Sequence, residues 1–321
     1  MILNAPGGPE SLTLADIPKP TLKAGEVLVR VHATALTPSE LQWKPTFTSR
    51  DGQPRPFPIV LGHEFSGVIA ETCGEVGDFE VGDKVFGMND WFANGAQAEY
   101  CVAPAKFIAP KPRSLDHMQA AAVPISALTA WQALIVRSQL RHGQTVLIHG
   151  AAGAVGIFAV QIARDCGARV IATAAASNRD FLQTLGADEV IDYRTTRFEE
   201  VVRDVDVVFD TVGGDTLQRS WNVLRPGGVL VTIAAQSEDS TDRRAQEAFM
   251  LVTADRAQLT TLGEVFDGTD RRRVFVAAEF PLDQAREAYA QAARSGRGKT
   301  VLRVVPASNP DTGLSVPASN P

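Results

Sequence analysis

The stretch from Ile148 to Gly156, I-H-G-A-A-G-A-V-G, has the residue types and spacing that a phosphate cradle needs. Glycines let the backbone turn tightly and approach a ligand. The first N–H groups of a helix that follows such a turn are unpaired and carry the positive end of its dipole. Gly153 and Gly156 fill the second and third positions of G-x-G-x-x-G, and Ala151 stands where the first glycine would be. A glycine run alone fits any tight turn. Here an apolar run, Thr145 to Ile148, enters it, and an amphipathic stretch, Val155 to Asp165, leaves it with Ile157, Val160, Gln161 and Arg164 at helical spacing. Strand, glycine turn, helix is the setting in which a dinucleotide pyrophosphate binds.

A second cluster would choose the cofactor. NAD sites place an acid at the tip of the second strand to bond the ribose 2′-OH. Here that tip reads Thr173-Ala174-Ala175-Ala176-Ser177-Asn178-Arg179, and Asp180 falls in the next helix. An acid would repel a 2′-phosphate, whereas Ser177, Asn178 and Arg179 can donate to one, and Tyr193 beyond the third strand can add a hydroxyl. The tip therefore points to NADPH. Phe209-Asp210-Thr211-Val212-Gly213-Gly214 closes the fourth strand, where Val212 and Gly213 would let a cofactor pass close to backbone.

His63-Glu64 is the pair that raises a metal. Zinc needs about four converging N, S or O ligands, and no Cys or His near this pair supplies a second by spacing. Glu64 reads instead as a buried structural acid, and no metal is expected.

Elements must hold these groups in place. Gly25 to Ala33 alternates apolar and polar residues, the signature of a half-buried strand, and short strands with G-D turns continue through Val60–Ile69 and Val76–Phe86. That density suggests a partly closed β-barrel. Residues 44 to 58 have loop chemistry. From about Asp116 the period turns helical. Strands at 145–149, 169–173, 189–191, 205–209, 228–233 and 248–252 then alternate with helices at 154–166, 178–186 and 214–224. Such alternation is the pattern of a doubly wound parallel sheet. Val274-Phe275-Val276 and Val301 to Val304 read as strands flanking a helix at 283–294, completing the first domain. Val305-Pro306-Ala307-Ser308-Asn309-Pro310 recurs as Val316 to Pro321, a composition that cannot bury a core and reads as a flexible tail.

Composition narrows the class. The chain has 321 residues, 45% of them hydrophobic and 21% charged, and a net charge of −6. These values fit a soluble globular protein of about two domains and disfavour a nucleic-acid partner. No apolar run is long enough to span a bilayer, and three scattered cysteines fit a reduced, cytoplasmic setting.

Together these motifs resemble the medium-chain dehydrogenase/reductase superfamily, and within it the zinc-free quinone oxidoreductase group. The resemblance runs from Gly7-Gly8-Pro9-Glu10 to Gly298-Lys299-Thr300-Val301-Leu302. It is strongest in Gly62-His63-Glu64-Phe65-Ser66-Gly67-Val68, Leu128-Thr129-Ala130-Trp131-Gln132-Ala133-Leu134, the glycine turn, and Leu185-Gly186-Ala187-Asp188-Glu189-Val190-Ile191-Asp192-Tyr193. It implies an α/β fold, a GroES-like β-barrel catalytic domain (1–123 and 267–305) with an inserted Rossmann domain (124–266), and a tail at 306–321. It also implies a homodimer and an active site between the domains. Zinc-dependent members carry ligand cysteines where this chain has Thr37 and Ile125, and only the histidine survives, as His63. The group's N-P-x-D corner here reads Thr37-Pro38-Ser39-Glu40. Compared with the group, the chain starts abruptly at Met1-Ile2-Leu3-Asn4, as if part of the first strand were missing.

The resemblance thus implies catalytic candidates Thr37, Ser39, Glu40 and His63. The cofactor set is Thr129, Ala152, Gly153, Ala154, Val155, Gly156, Ser177, Asn178, Arg179, Tyr193, Val212 and Ile233. The expected reaction is zinc-independent hydride transfer from NADPH to a quinone or α,β-unsaturated carbonyl. An enoyl-thioester reductase and a non-catalytic NADPH-binding redox sensor or structural protein are the alternatives.

Overall fold

A computed structural model describes residues 1–268, 272–293 and 296–304. The repeated PASNP segment lies outside the described residues. Five apolar segments form a parallel sheet: β1 (Thr145–His149), β2 (Arg169–Ala174), β3 (Glu189–Asp192), β4 (Val205–Asp210) and β5 (Leu224–Thr232). Their order is β3-β2-β1-β4-β5, so the chain reverses direction beside β1. Val146, Leu147 and Ile148 of β1 are fully buried, as a sheet covered on both faces requires. Helix α1 (Ala154–Asp165) follows β1 and is buried from Gly156 to Ala163. Helices α2 (Arg179–Leu185) and α3 (Gly214–Ser220) follow β2 and β4.

The expected strand at 248–252 does not form: a helix, Arg243–Ala248, occupies its start, and only Phe249 makes a lone parallel bridge, to Thr232. Side chains from elsewhere take the backbone carbonyls that would extend a ladder. Arg137 bonds Phe249 O, Trp91 bonds Val252 O, and Gln132 bonds Thr253 O.

The second sheet is mainly antiparallel. Its path among the described residues is Val276–Pro281, Lys299–Arg303, Glu26–Ala35, Glu64–Cys73, Lys84–Met88 and Ile108–Pro110, with Tyr100–Pro104 also pairing Glu26–Ala35. The late strand Lys299–Arg303 thus joins Ala33–Ala35 near the start of the chain. That return brings Lys299 against Glu64. The cleft between the two sheets' domains has a volume of about 1020 Å³.

Candidate active site

The glycine turn opens into the cleft. Gly150, one residue before Ala151, takes the left-handed backbone (φ 67°), so it rather than position 151 makes the sharp turn out of β1. Gly156 is needed for close approach: a Cβ there would stand 2.4 Å from the Gly150 carbonyl oxygen. No side chain caps α1 at Gly153, so its first N–H groups remain available, and Gly153, Ala154, Val155 and Gly156 all line the cleft. This is a fit to a pyrophosphate. Thr129 and Ile233 line the same wall, Thr129 with its hydroxyl bonded to Ile125 O at 2.6 Å. Ala152 lies in the turn but not on the cleft wall. At the β4 turn Thr211 forms the wall, while Val212 beside it is exposed. Asp210 shapes that turn by accepting from the N–H groups of Val212 and Gly213.

The catalytic candidates divide into two layers. Thr37 and Ser39 line the cleft; Glu40 and His63 are buried behind it. Gly62 adopts φ 87° and donates its N–H to Glu40 Oε2 at 2.8 Å, which turns the chain so that His63 Nδ1 lies 3.3 Å from the same oxygen. Burial alone would raise the Glu40 carboxyl. The His63 ring, the Gly62 N–H and the Lys299 ammonium outweigh it and hold the group below the usual carboxylate range. Glu64 is fully buried and ion-paired with Lys299, and its Oε2 accepts from Ile125 N at 2.9 Å. Burial pushes Glu64 up, and Lys299 only partly offsets this.

Lys299 is the residue that the sequence patterns missed. Its Nζ donates to Thr37 Oγ1 at 3.0 Å and Leu36 O at 3.2 Å while facing the cleft. A lysine at the head of a strand, just ahead of the apolar pair Val301-Leu302, was the available signal. Trp43 and Trp91 were missed too; they meet edge to face, 4.6 Å between centroids, on the cleft wall, and Trp91 packs on His63 at 5.2 Å.

At the β2 tip, Ser177 and Asn178 end a short turn, and Arg179 starts α2 fully in solvent's reach. Tyr193 is exposed. The cation that touches Ser177 and Asn178 is Arg297, from the other domain.

The residues around His63 do not suit zinc. Thr37 and Ile125 offer no thiolate, and His63 Nε2 faces the Ala93 carbonyl at 3.3 Å, to which it can only donate. Among the described residues no group of three His, Cys, Asp or Glu converges on a metal position. No described helix is long and apolar enough to cross a membrane.

Comparison with known proteins gives relatives along most of the chain. The alcohol dehydrogenase GroES-like domain matches residues 23–113, and the zinc-binding dehydrogenase family matches residues 185–302. The chain is similar to a probable zinc-binding oxidoreductase, mitochondrial, of Arthroderma benhamiae, 32% identical over 308 residues and covering 90% of this chain and 91% of the relative. It is 31% identical over 326 residues to a mitochondrial NAD(P)H oxidoreductase of Mus musculus, covering 87% and 82%. Among solved structures, the quinone oxidoreductase from Coxiella burnetii superposes with a TM-score of 0.86 at 30% identity, covering 95% of this chain and 98% of that one.

Proposed function

The chain belongs to the medium-chain dehydrogenase/reductase superfamily of NAD(P)H-linked oxidoreductases, and we propose that it reduces quinones or α,β-unsaturated carbonyls with NADPH and without zinc. The observation that carries this reading is the cleft floor. Where zinc members hold cysteine ligands, this chain has the Thr37 hydroxyl, bonded by the Lys299 ammonium, and the Ile125 side chain. The reduced nicotinamide, when bound, supplies the hydride. The α1 N-terminus would hold the pyrophosphate. Because Lys299 donates to Thr37 Oγ1, the Thr37 hydrogen is free to point into the cleft, toward a carbonyl oxygen that gains negative charge. The ammonium behind it stabilises the same charge. Trp43 and Trp91, set edge to face, give the cleft an aromatic wall, and a single indole face on it suits stacking of a planar acceptor.

We read Ser39 as a second hydroxyl at this mouth, and Glu40 and His63 as positioning residues rather than groups that touch substrate. The names of one relative and of one matching family include zinc, so independence from zinc is a proposal resting on Thr37, Ile125 and the engaged His63. A homodimer and a cytoplasmic setting complete the reading; the free cysteines Cys73, Cys101 and Cys166 fit a reduced compartment, although the two relatives named above are mitochondrial.

The test is an acceptor panel. Purified protein with NADPH should reduce naphthoquinones and enones faster than a crotonyl thioester. Turnover of the thioester alone would favour the enoyl-thioester reading. Tight NADPH binding with no turnover on any acceptor would favour a sensor or structural protein.

A further inference from the structure

Gly296-Arg297-Gly298-Lys299 is a single run that reaches both ends of the cleft. Lys299 lies on the catalytic floor beside Thr37 and Glu64. Arg297, two residues earlier, crosses to the Rossmann domain. Its Nε donates to Asn178 Oδ1 and its Nη2 to Ser177 O, both at 2.8 Å. Its guanidinium also stacks on Phe181 of α2, 4.4 Å from the ring centroid, and Phe181 packs edge to face on Phe275 of the catalytic domain at 5.0 Å.

Three features make this an anion site in wait. The guanidinium sits at the tip of β2, where the adenosine ribose of a dinucleotide belongs in this topology. Its hydrogen-bond acceptors among the described residues, the Asn178 amide oxygen and the Ser177 carbonyl, are both uncharged, so they do not neutralise it. Nη1 has no hydrogen-bond partner among the described residues, which leaves part of the fork free to bond phosphate oxygens. Arg179 starts α2 and is exposed, with no partner among the described residues to fix its direction. Arg297 is already docked.

We infer that Arg297, supplied by the catalytic domain, is the specificity-determining residue that reads the cofactor's 2′-phosphate. This rests on the NADPH reading above. The phosphate would then be held between two domains, by the Ser177–Asn178 turn on one side and Arg297 on the other. Because Lys299 follows on the same strand entry, cofactor docking at the ribose end also fixes the segment that carries the catalytic ammonium.

The test is equilibrium titration of the full chain with NADPH, NADH and 2′,5′-ADP, followed by intrinsic tryptophan fluorescence or calorimetry. The proteins are the parent, Arg297→Ala, Arg297→Lys and Arg179→Ala. The expected result is that Arg297→Ala weakens NADPH and 2′,5′-ADP by about tenfold to a hundredfold, the range for a charge-assisted hydrogen bond. NADH binding should stay within about threefold of the parent, which also shows that the variant is folded. Arg297→Lys should fall between, and Arg179→Ala should cost less than Arg297→Ala. If the parent prefers NADPH and Arg297→Ala keeps that preference, the assignment to Arg297 is overturned while the NADPH reading stands. If the parent binds NADH as well as NADPH, both fall.

Discussion

At the residue scale, the Lys299–Glu64 pair holds the catalytic corner. Both groups are almost fully enclosed, and removing one member of such a pair leaves the other charge without compensation. Lys299→Met should cost about 3 kcal/mol of stability, and the double variant Glu64→Gln/Lys299→Met should recover more than half of it in urea unfolding. The pH dependence has a definite sign. Glu64 is raised above its ordinary 4.5 in the folded state, so its contribution to stability is greatest at low pH and declines as pH rises through the folded value. Without Lys299 the carboxyl should rise further, and the variant should lose less stability at pH 5 than at pH 8 relative to the parent. A single variant as stable as the parent at both pH values would show that the pair does not hold the corner. Thr37→Val removes the hydroxyl on the cleft floor and should lower kcat by about a hundredfold with little change in NADPH affinity. Equal kcat in the two proteins would remove Thr37 from the reaction. His63 and Glu64 were visible in sequence as one short motif, and Thr37 through another, the Thr37-Pro38-Ser39-Glu40 corner that the family resemblance marks. Lys299 was not, because its partners come from the other end of the chain, and a lone lysine beside a glycine reads as solvated.

Elements were the most legible scale. The parallel strands announce themselves as apolar runs, since both faces are covered, and the glycine turn marks the start of α1. The misread segment at 248–252 is apolar too. In the fold Arg137 and Trp91, side chains over a hundred residues away, take its Phe249 and Val252 carbonyls, and Gln132 takes that of Thr253 just beyond it. Periodicity carries no trace of that competition. One element also stores a pH response. His149, the last residue of β1, is enclosed between Thr173 and Ser220, each 3.0 Å from a ring nitrogen. Burial lowers it to about 4 from 6.5, against the pull of the Asp210 carboxylate. A histidine depressed in the folded state costs stability when the unfolded chain can take a proton and the folded one cannot. Stability should therefore be fully present above pH 6.5 and fall by about 3 kcal/mol as pH drops toward 4. His149→Gln should flatten this part of the profile in denaturant unfolding. An unchanged slope would assign the acid sensitivity elsewhere.

At the scale of the whole molecule, the site exists only because the chain returns. Strand Lys299–Arg303 pairs with Ala33–Ala35, which places Lys299 against Glu64 and Thr37 and aims Arg297 at the β2 tip. Trp43 and Trp91 also meet only in the fold, and no spacing in the sequence links them. Their wall should matter most for flat acceptors. Trp43→Leu is expected to raise KM for a naphthoquinone by about tenfold and for a small acyclic enone by much less, a split that steady-state kinetics would read directly. Equal effects on both acceptors would argue against stacking.

The central claim is hydride transfer to a conjugated carbonyl without a metal. It is tested most directly by following loss of reduced-nicotinamide absorbance with NADPH and a naphthoquinone, before and after exhaustive chelation, with zinc content measured on the same sample. The expected result is turnover that chelation does not change, in protein holding far less than one zinc per chain. Activity that disappears on chelation and returns with added zinc would contradict the account, as would a failure to oxidise NADPH with any quinone or enone.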